Sequence, residues 1–214
     1  MRTSHRYTVR SALPVSSRPY PEVTNKAFRR VYMKIADNPS FEDQDVLWLQ
    51  ADGWYADIRI KLDGSGFSSF GGRVTWRRPK LTFHHDLDLG SGFPEDIGTI
   101  SLTSFGCIEN GEFVNGGEVI PFEEKWSCPA GAVSSRVLLR RSRKSITGME
   151  IQLGDDCIII LEGTAARFRR VGHTWRTHYR AQGFPPCRRP TGVRPLAGWN
   201  LVEQVSAVTG TSSS

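Results

Sequence analysis

The sequence predicts an all-β protein, an antiparallel up-and-down barrel of about ten strands with little helix. Two observations carry this. Short apolar–polar alternating runs recur at regular spacing between Gly, Asp, Asn and Ser turns, and almost no segment has a helical period. The many hairpin turns and the lack of a long crossover then favour closure into a barrel, which also removes exposed sheet edges.

Taken in order, residues 1–26 carry Arg2, Arg6, Arg10 and Arg18, several serines and no acid before Glu22. That composition has a presequence flavour, with a mitochondrial address as the minor alternative. Pro14, Pro19 and Pro21 would interrupt an amphipathic helix, so a disordered or loosely attached arm is the reading adopted. Residues 27–35 form a first strand or lead-in, and Asn38-Pro39 marks a turn.

The stretch 46–89 holds most of the unusual chemistry. It opens with Val46-Leu47-Trp48-Leu49-Gln50, turns at Asp52-Gly53 and resumes at Trp54. Alternation places Ala56, Ile58, Ile60 and Leu62 on one face and Tyr55, Asp57, Arg59 and Lys61 on the other. Residues 81–89 repeat the pattern, with Phe83, His85, Leu87 and Leu89 opposed to His84, Asp86 and Asp88. Further strands follow at 97–103, 106–109 and 119–126, with a hairpin turn at Asn110-Gly111. Four more lie at 137–141, 149–153, 157–161 and 165–171. The expected division is therefore an arm (1–26), one barrel domain (27–175) and a Pro/Arg-rich extension (176–214) with one short helix at 200–208.

Composition bounds the partners. The formal charge of +6 comes from residues 136–214, while the first 135 residues are slightly acidic. Arg140-Arg141-Ser142-Arg143-Lys144 reads as a solvated turn, without the aromatic interleaving of a nucleic-acid site, so nucleic acid is disfavoured. No run reaches the roughly 18 apolar residues that a spanning helix needs, so no membrane partner is expected. Cys107, Cys128, Cys157 and Cys187 lack C-x-x-C spacing and read as reduced thiols of a cytoplasmic protein. Glycine pairs such as Gly71-Gly72 lack the Lys-Ser/Thr of a phosphate loop, and no cofactor or metal is expected. His84, Asp86 and Asp88 are spaced roughly 6–7 Å apart along a strand, too far to share one ion.

The order Trp48-Leu49-Gln50, Tyr55-Ala56-Asp57-Ile58-Arg59, Phe70-Gly71-Gly72, His84-His85-Asp86-Leu87-Asp88, Asp96-Ile97-Gly98, Glu109 and Phe122-Glu123-Glu124-Lys125-Trp126 resembles a set of uncharacterised bacterial and fungal proteins. These are similar to the yeast Hrr-kinase-interacting protein (Hri) family. The resemblance spans about residues 45–165. It implies a calycin or lipocalin-like barrel and transfers no catalytic residue.

A barrel of this size is a container for one small ligand. Two orientations stay open. With the apolar face inward, His85 is either a satisfied core residue or a polar anchor for a ligand. With the polar face inward, Tyr55, Asp57, Arg59, His84, Asp86 and Asp88 line a cavity, and the outer apolar face needs a cover from the tails, a helix or a second subunit of a homodimer. The candidate catalytic set is His84, Asp57, Arg59, Tyr55 and Asp86: a His beside carboxylates moves protons near neutral pH, and Arg and Tyr hold an oxyanion or carbonyl. The candidate ligand-binding set is Trp48, Trp76, His85, Asp88, Glu109, Glu124 and Trp126, with aromatics stacking on a planar ligand. The expected activity is cofactor-independent isomerisation, cyclisation or dehydration of a small apolar carbonyl metabolite, as in secondary-metabolite biosynthesis. A non-catalytic carrier or a protein-interaction scaffold is the alternative.

Overall fold

The computed structural model describes residues 23–129, 133–143, 145–186, 188–192 and 197–205. Its first strands run β1 Lys26–Ile35, β2 Gln44–Ala51, β3 Trp54–Lys61, β4 Phe67–Arg77, β5 Lys80–His84, β6 Leu87–Leu89, β7 Glu95–Thr103, β8 Gly106–Asn115 and β9 Glu118–Ser127. Each pairs antiparallel with its neighbour in the chain, apart from the short β6, and β9 returns to pair with β1. The result is a closed eight-stranded antiparallel barrel, with β6 added alongside β4. No helix occurs among the described residues, so none is long and apolar enough to cross a membrane.

The barrel closes at Ser127, well before residue 175. The strands beyond it, expected as barrel wall, build a second antiparallel sheet: β10 Ser135–Ser142, β11 Ser145–Leu153, β12 Asp156–Leu161, β13 Thr164–Val171, β14 Thr174–Arg180 and β15 Trp199–Val205. The segment expected as a helix at 200–208 is instead, over its described part, the edge strand β15. Leu138 pairs with Leu201 and Leu139 with Asn200, so β10 supplies a ladder that a lone helix would lack. The extension from 176 onward thus contributes strands to this sheet. The presequence-like residues 1–22, Lys144, Cys187 and Pro195 lie outside the described residues. Among the described residues Cys107, Cys128 and Cys157 form no disulfide.

The second sheet covers the barrel's outer apolar face. Leu47, Leu49, Ala51, Ala56, Ile58 and Leu87 point out of the barrel and pack against Val137, Leu139, Met149, Ile151, Ile158 and Ile160. Burying each leucine, isoleucine, valine or methionine of this contact contributes roughly 1.5–3 kcal/mol. The sheet's other face is apolar as well. Leu138, Cys157, Ile159 and Phe168 are covered by Phe184 and Trp199. Sandwiching explains why Cys157-Ile158-Ile159-Ile160-Leu161 is a continuous apolar run and not an alternating one. Arg29, facing outward from β1, donates to both carboxylate oxygens of Asp156 at 3.0 Å, and Arg167 pairs with Asp45 at 2.9 Å. These ion pairs tie the sheet to the barrel.

Because the apolar face of β2 and β3 is turned out toward the sheet, their polar face lines the interior. The cover is a second sheet of the same chain, an element outside the three expected covers (tails, helix, second subunit).

Candidate functional site

One end of the barrel is filled and the other is hollow. Phe28, Trp48, Leu81, Phe83, Ile100, Cys107 and Trp126 pack the closed end. There Trp48 stacks on Phe28 at 4.3 Å between ring centroids and meets Trp126 and Phe83 edge-on at 5.4 and 5.3 Å. Above this aromatic floor lies a cavity of about 410 Å³. Its rim is largely apolar, with Met33, Ile35, Phe41, Phe93, Phe113 and Phe122. Its polar wall is made by Arg30, Asp57, Arg59, Asp96, Glu109 and Glu124.

Strand alternation places these groups. On β3, Tyr55, Asp57 and Arg59 all point inward. Arg59 Nε donates to Asp57 Oδ1 at 3.0 Å, Nη1 lies 3.6 Å from Glu124 Oε1, and the guanidinium sits 4.9 Å above the Phe70 ring. On β1, the buried Arg30 donates to both oxygens of Glu42 at 2.9 Å and to Glu124 Oε1 at 2.6 Å. On β8 and β9, Glu109 and Glu124 come from directly paired residues. Glu109 Oε2 accepts from Trp126 Nε1 at 3.0 Å. Gly98, on neighbouring β7, leaves the space that the Glu109 carboxyl occupies, and a Cβ there would overlap it.

Burial tunes the protonation of this wall. The Glu109 carboxyl is pushed up to about 8 by burial and by the neighbouring Glu124 charge, with Arg59 and the Trp126 N–H opposing. Asp57 is raised to about 6, again by burial first, against the pull of Arg59. Both arginines are held above their ordinary range despite burial, Arg30 by Glu42 and Glu124 and Arg59 by Asp57 and Glu124. Burial also raises the Tyr55 hydroxyl well above its usual value. That hydroxyl is buried and has no hydrogen-bond partner among the described residues.

The structure divides the sequence candidates. Tyr55, Asp57, Arg59, Trp48, Glu109 and Glu124 line the cavity, and Trp126 lies beneath it holding Glu109. His84 and Asp86, candidates for the same polar cavity, stand outside the barrel. The His84 ring lies 3.0 Å from Thr75 Oγ1 and 3.2 Å from Glu95, and Asp86 accepts from Arg73. His85 does face inward: its fully buried ring stacks on Phe70 at 4.6 Å. Its Nδ1 lies 2.9 Å from Ser91 Oγ, and Nε2 is 3.2 Å from Asp96, off the line of a hydrogen bond. Asp88 accepts the backbone N–H groups of Ser91 and Gly92, shaping the rim loop. Trp76 packs against the closed end and does not line the cavity.

The two histidines alternate as strand neighbours do, and a bulge after them changes the parity. Val74 pairs with Phe83 and Gly71 with Leu87, so two residues of β4 face three of the opposing strand. The extra residue flips the side-chain parity: Phe83 and His85 point in, whereas Leu87 points out into the contact with the second sheet. Gly72 permits the bulge, because a Cβ there would overlap the His84 carbonyl. Arg30, Glu42 and Asp96 were missed by sequence reasoning. The Phe28-Arg29-Arg30 order carries the signal for Arg30, since Phe28 inward places Arg30 inward too. Among the described residues no group of three His, Cys, Asp or Glu is placed to hold a metal ion.

The crystal structure of an uncharacterised protein from Saccharomyces cerevisiae is similar to this chain, with a TM-score of 0.66 at 14% identity. The match covers 85% of this chain and 99% of the yeast one. At that identity the likeness concerns the fold alone. No protein-family model matches the chain, and no curated protein matches it.

Proposed function

We propose that the barrel binds a small, mostly apolar metabolite and acts on it by acid–base chemistry without a cofactor, as an isomerase, cyclase or dehydratase. The observation that carries this reading is a hollow of about 410 Å³ whose apolar rim leads down to a buried wall of carboxyls, arginines and an unpartnered tyrosine hydroxyl. Such a hollow suits a small molecule lying with its polar end inward.

The roles follow from protonation. Glu109 keeps its proton near neutral pH and can deliver it to a carbonyl or hydroxyl oxygen. Asp57, ionised above about 6, can accept one. The Tyr55 hydroxyl is free to donate to a substrate oxygen. Arg59, engaged by Asp57 and Glu124, positions these two carboxylates. His84 and Asp86 have no part in this scheme, since they lie outside.

The test is mass spectrometry of a metabolite extract incubated with the protein, searched for isobaric conversion or loss of water. Conversion by the wild type, abolished in folded Glu109→Gln and Asp57→Asn variants and retained in His84→Ala, is the expected result. A conversion that persists in both folded cavity variants would overturn the reading.

A further inference from the structure

The cavity's charges do not balance. Among the described residues its lining carries five carboxyl groups (Asp43, Asp57, Asp96, Glu109 and Glu124), four of them charged while Glu109 keeps its proton, against three cations (Arg30, Arg59 and Lys61). A sixth carboxylate, Glu42, stands behind Arg30. The cations are already engaged. Arg30 is held in a two-point fork by Glu42 and also by Glu124, Arg59 by Asp57 and Glu124, and Lys61 by Asp43 at 2.7 Å. A site built to capture a carboxylate or phosphate presents an open guanidinium fork, whereas here Glu42 fills the Arg30 fork and Arg59 is turned to Asp57 through Nε, with Nη1 3.6 Å from Glu124. His85 lies behind this wall, 3.2 Å from Asp96.

A second observation points to a ligand. The Tyr55 hydroxyl lines the same wall, is buried, and meets no protein donor or acceptor. Its electrostatic neighbours include Asp57 and Asp96. A buried hydroxyl without a partner costs about 1–3 kcal/mol, which a bound donor would recover. Trp48, Phe70 and Phe83 present ring surface beside it, suited to a flat apolar body and to a neighbouring cation.

We propose that the polar group received by this cavity is a basic nitrogen, the ammonium of a small amine with a flat apolar body, seated against Asp57, Asp96 and the Tyr55 oxygen. The proposal rests on the small-molecule reading and names the class of molecule. The bound cation neutralises the carboxylate excess, and each N–H finds an acceptor that the folded protein leaves underused.

Isothermal titration calorimetry with three matched probes tests it: tryptamine, its neutral counterpart indole-3-ethanol, and indole-3-propionate. The expected result is tryptamine binding about tenfold or more tighter than the alcohol, with the carboxylate weakest. The tryptamine preference should fall in Asp57→Asn and in Asp96→Asn, the second being a partly exposed wall position outside the Arg30 and Arg59 ion pairs, and should persist in His84→Ala. The alcohol binding as tightly as the amine, or the carboxylate binding best, overturns the amine assignment while leaving the small-molecule reading standing. Failure of all three probes to bind overturns both.

Discussion

Trp126 donates its indole N–H to Glu109 at 3.0 Å, deep inside the barrel. The bond holds one carboxyl oxygen while burial and Glu124 keep the group protonated up to about 8. The folded state therefore binds a proton that the unfolded chain has released between about 4.5 and 8. Stability then falls as pH rises through that window, because the folded state must give up or hold a proton at a cost. Glu109→Gln keeps an acceptor for Trp126 and removes this penalty. Urea denaturation at a series of pH values should show the variant gaining on the wild type from pH 5 to pH 8.

Gly98 is the reason the Glu109 carboxyl fits. A methyl group at position 98 would overlap the carboxyl, and overpacking of this kind costs about 1–3 kcal/mol. Gly98→Ala should be destabilised by that amount and should shift tryptophan fluorescence, since Glu109 is displaced from Trp126. Wild-type fluorescence in a folded variant would argue against the contact.

Arg30 holds Glu42 and Glu124 together with almost no solvent exposure. Arg30→Met strands two acids, and breaking a buried pair costs about 3–5 kcal/mol. Adding Glu124→Gln should restore part of that loss. A double-mutant cycle by chemical denaturation measures the coupling, which additivity would refute.

The second sheet is an obligate cover. Ile151→Ala in its buried face should cost about 2–5 kcal/mol. A chain ending after residue 128 would expose Leu47, Leu49 and Ile58, and such a patch favours aggregation. Sedimentation of that fragment should show association, where the whole chain remains dispersed.

Much of this was legible locally. Alternation along β3 correctly separates Ala56 and Ile58 from Tyr55, Asp57 and Arg59, because period two is a property of the strand itself. Which face looks inward was not legible, since the answer depends on Val137, Met149 and Ile158, some 80–100 residues further along. That Leu87 faces the second sheet while Phe83 and His85 face inward depends on a bulge, and only the pairing of Gly71 with Leu87 reveals the extra residue. β15 was hidden for a similar reason: its ladder partner, β10, lies about 60 residues earlier. Of the cavity wall, Glu109, Glu124 and Trp126 stood out as chemistry-bearing residues, whereas Arg30 was obscured by an adjacent arginine that faces the opposite way.

The most direct test is the protonation of Glu109 itself. Carboxyl ¹³C shifts, followed by NMR through a pH titration and assigned by loss of the signal in Glu109→Gln, report its midpoint. A midpoint near 8 is the result this account expects, with a proton held at the cavity wall under neutral conditions. A midpoint in the ordinary glutamate range, about 4–5, would mean a hydrated carboxylate and would contradict the acid–base site.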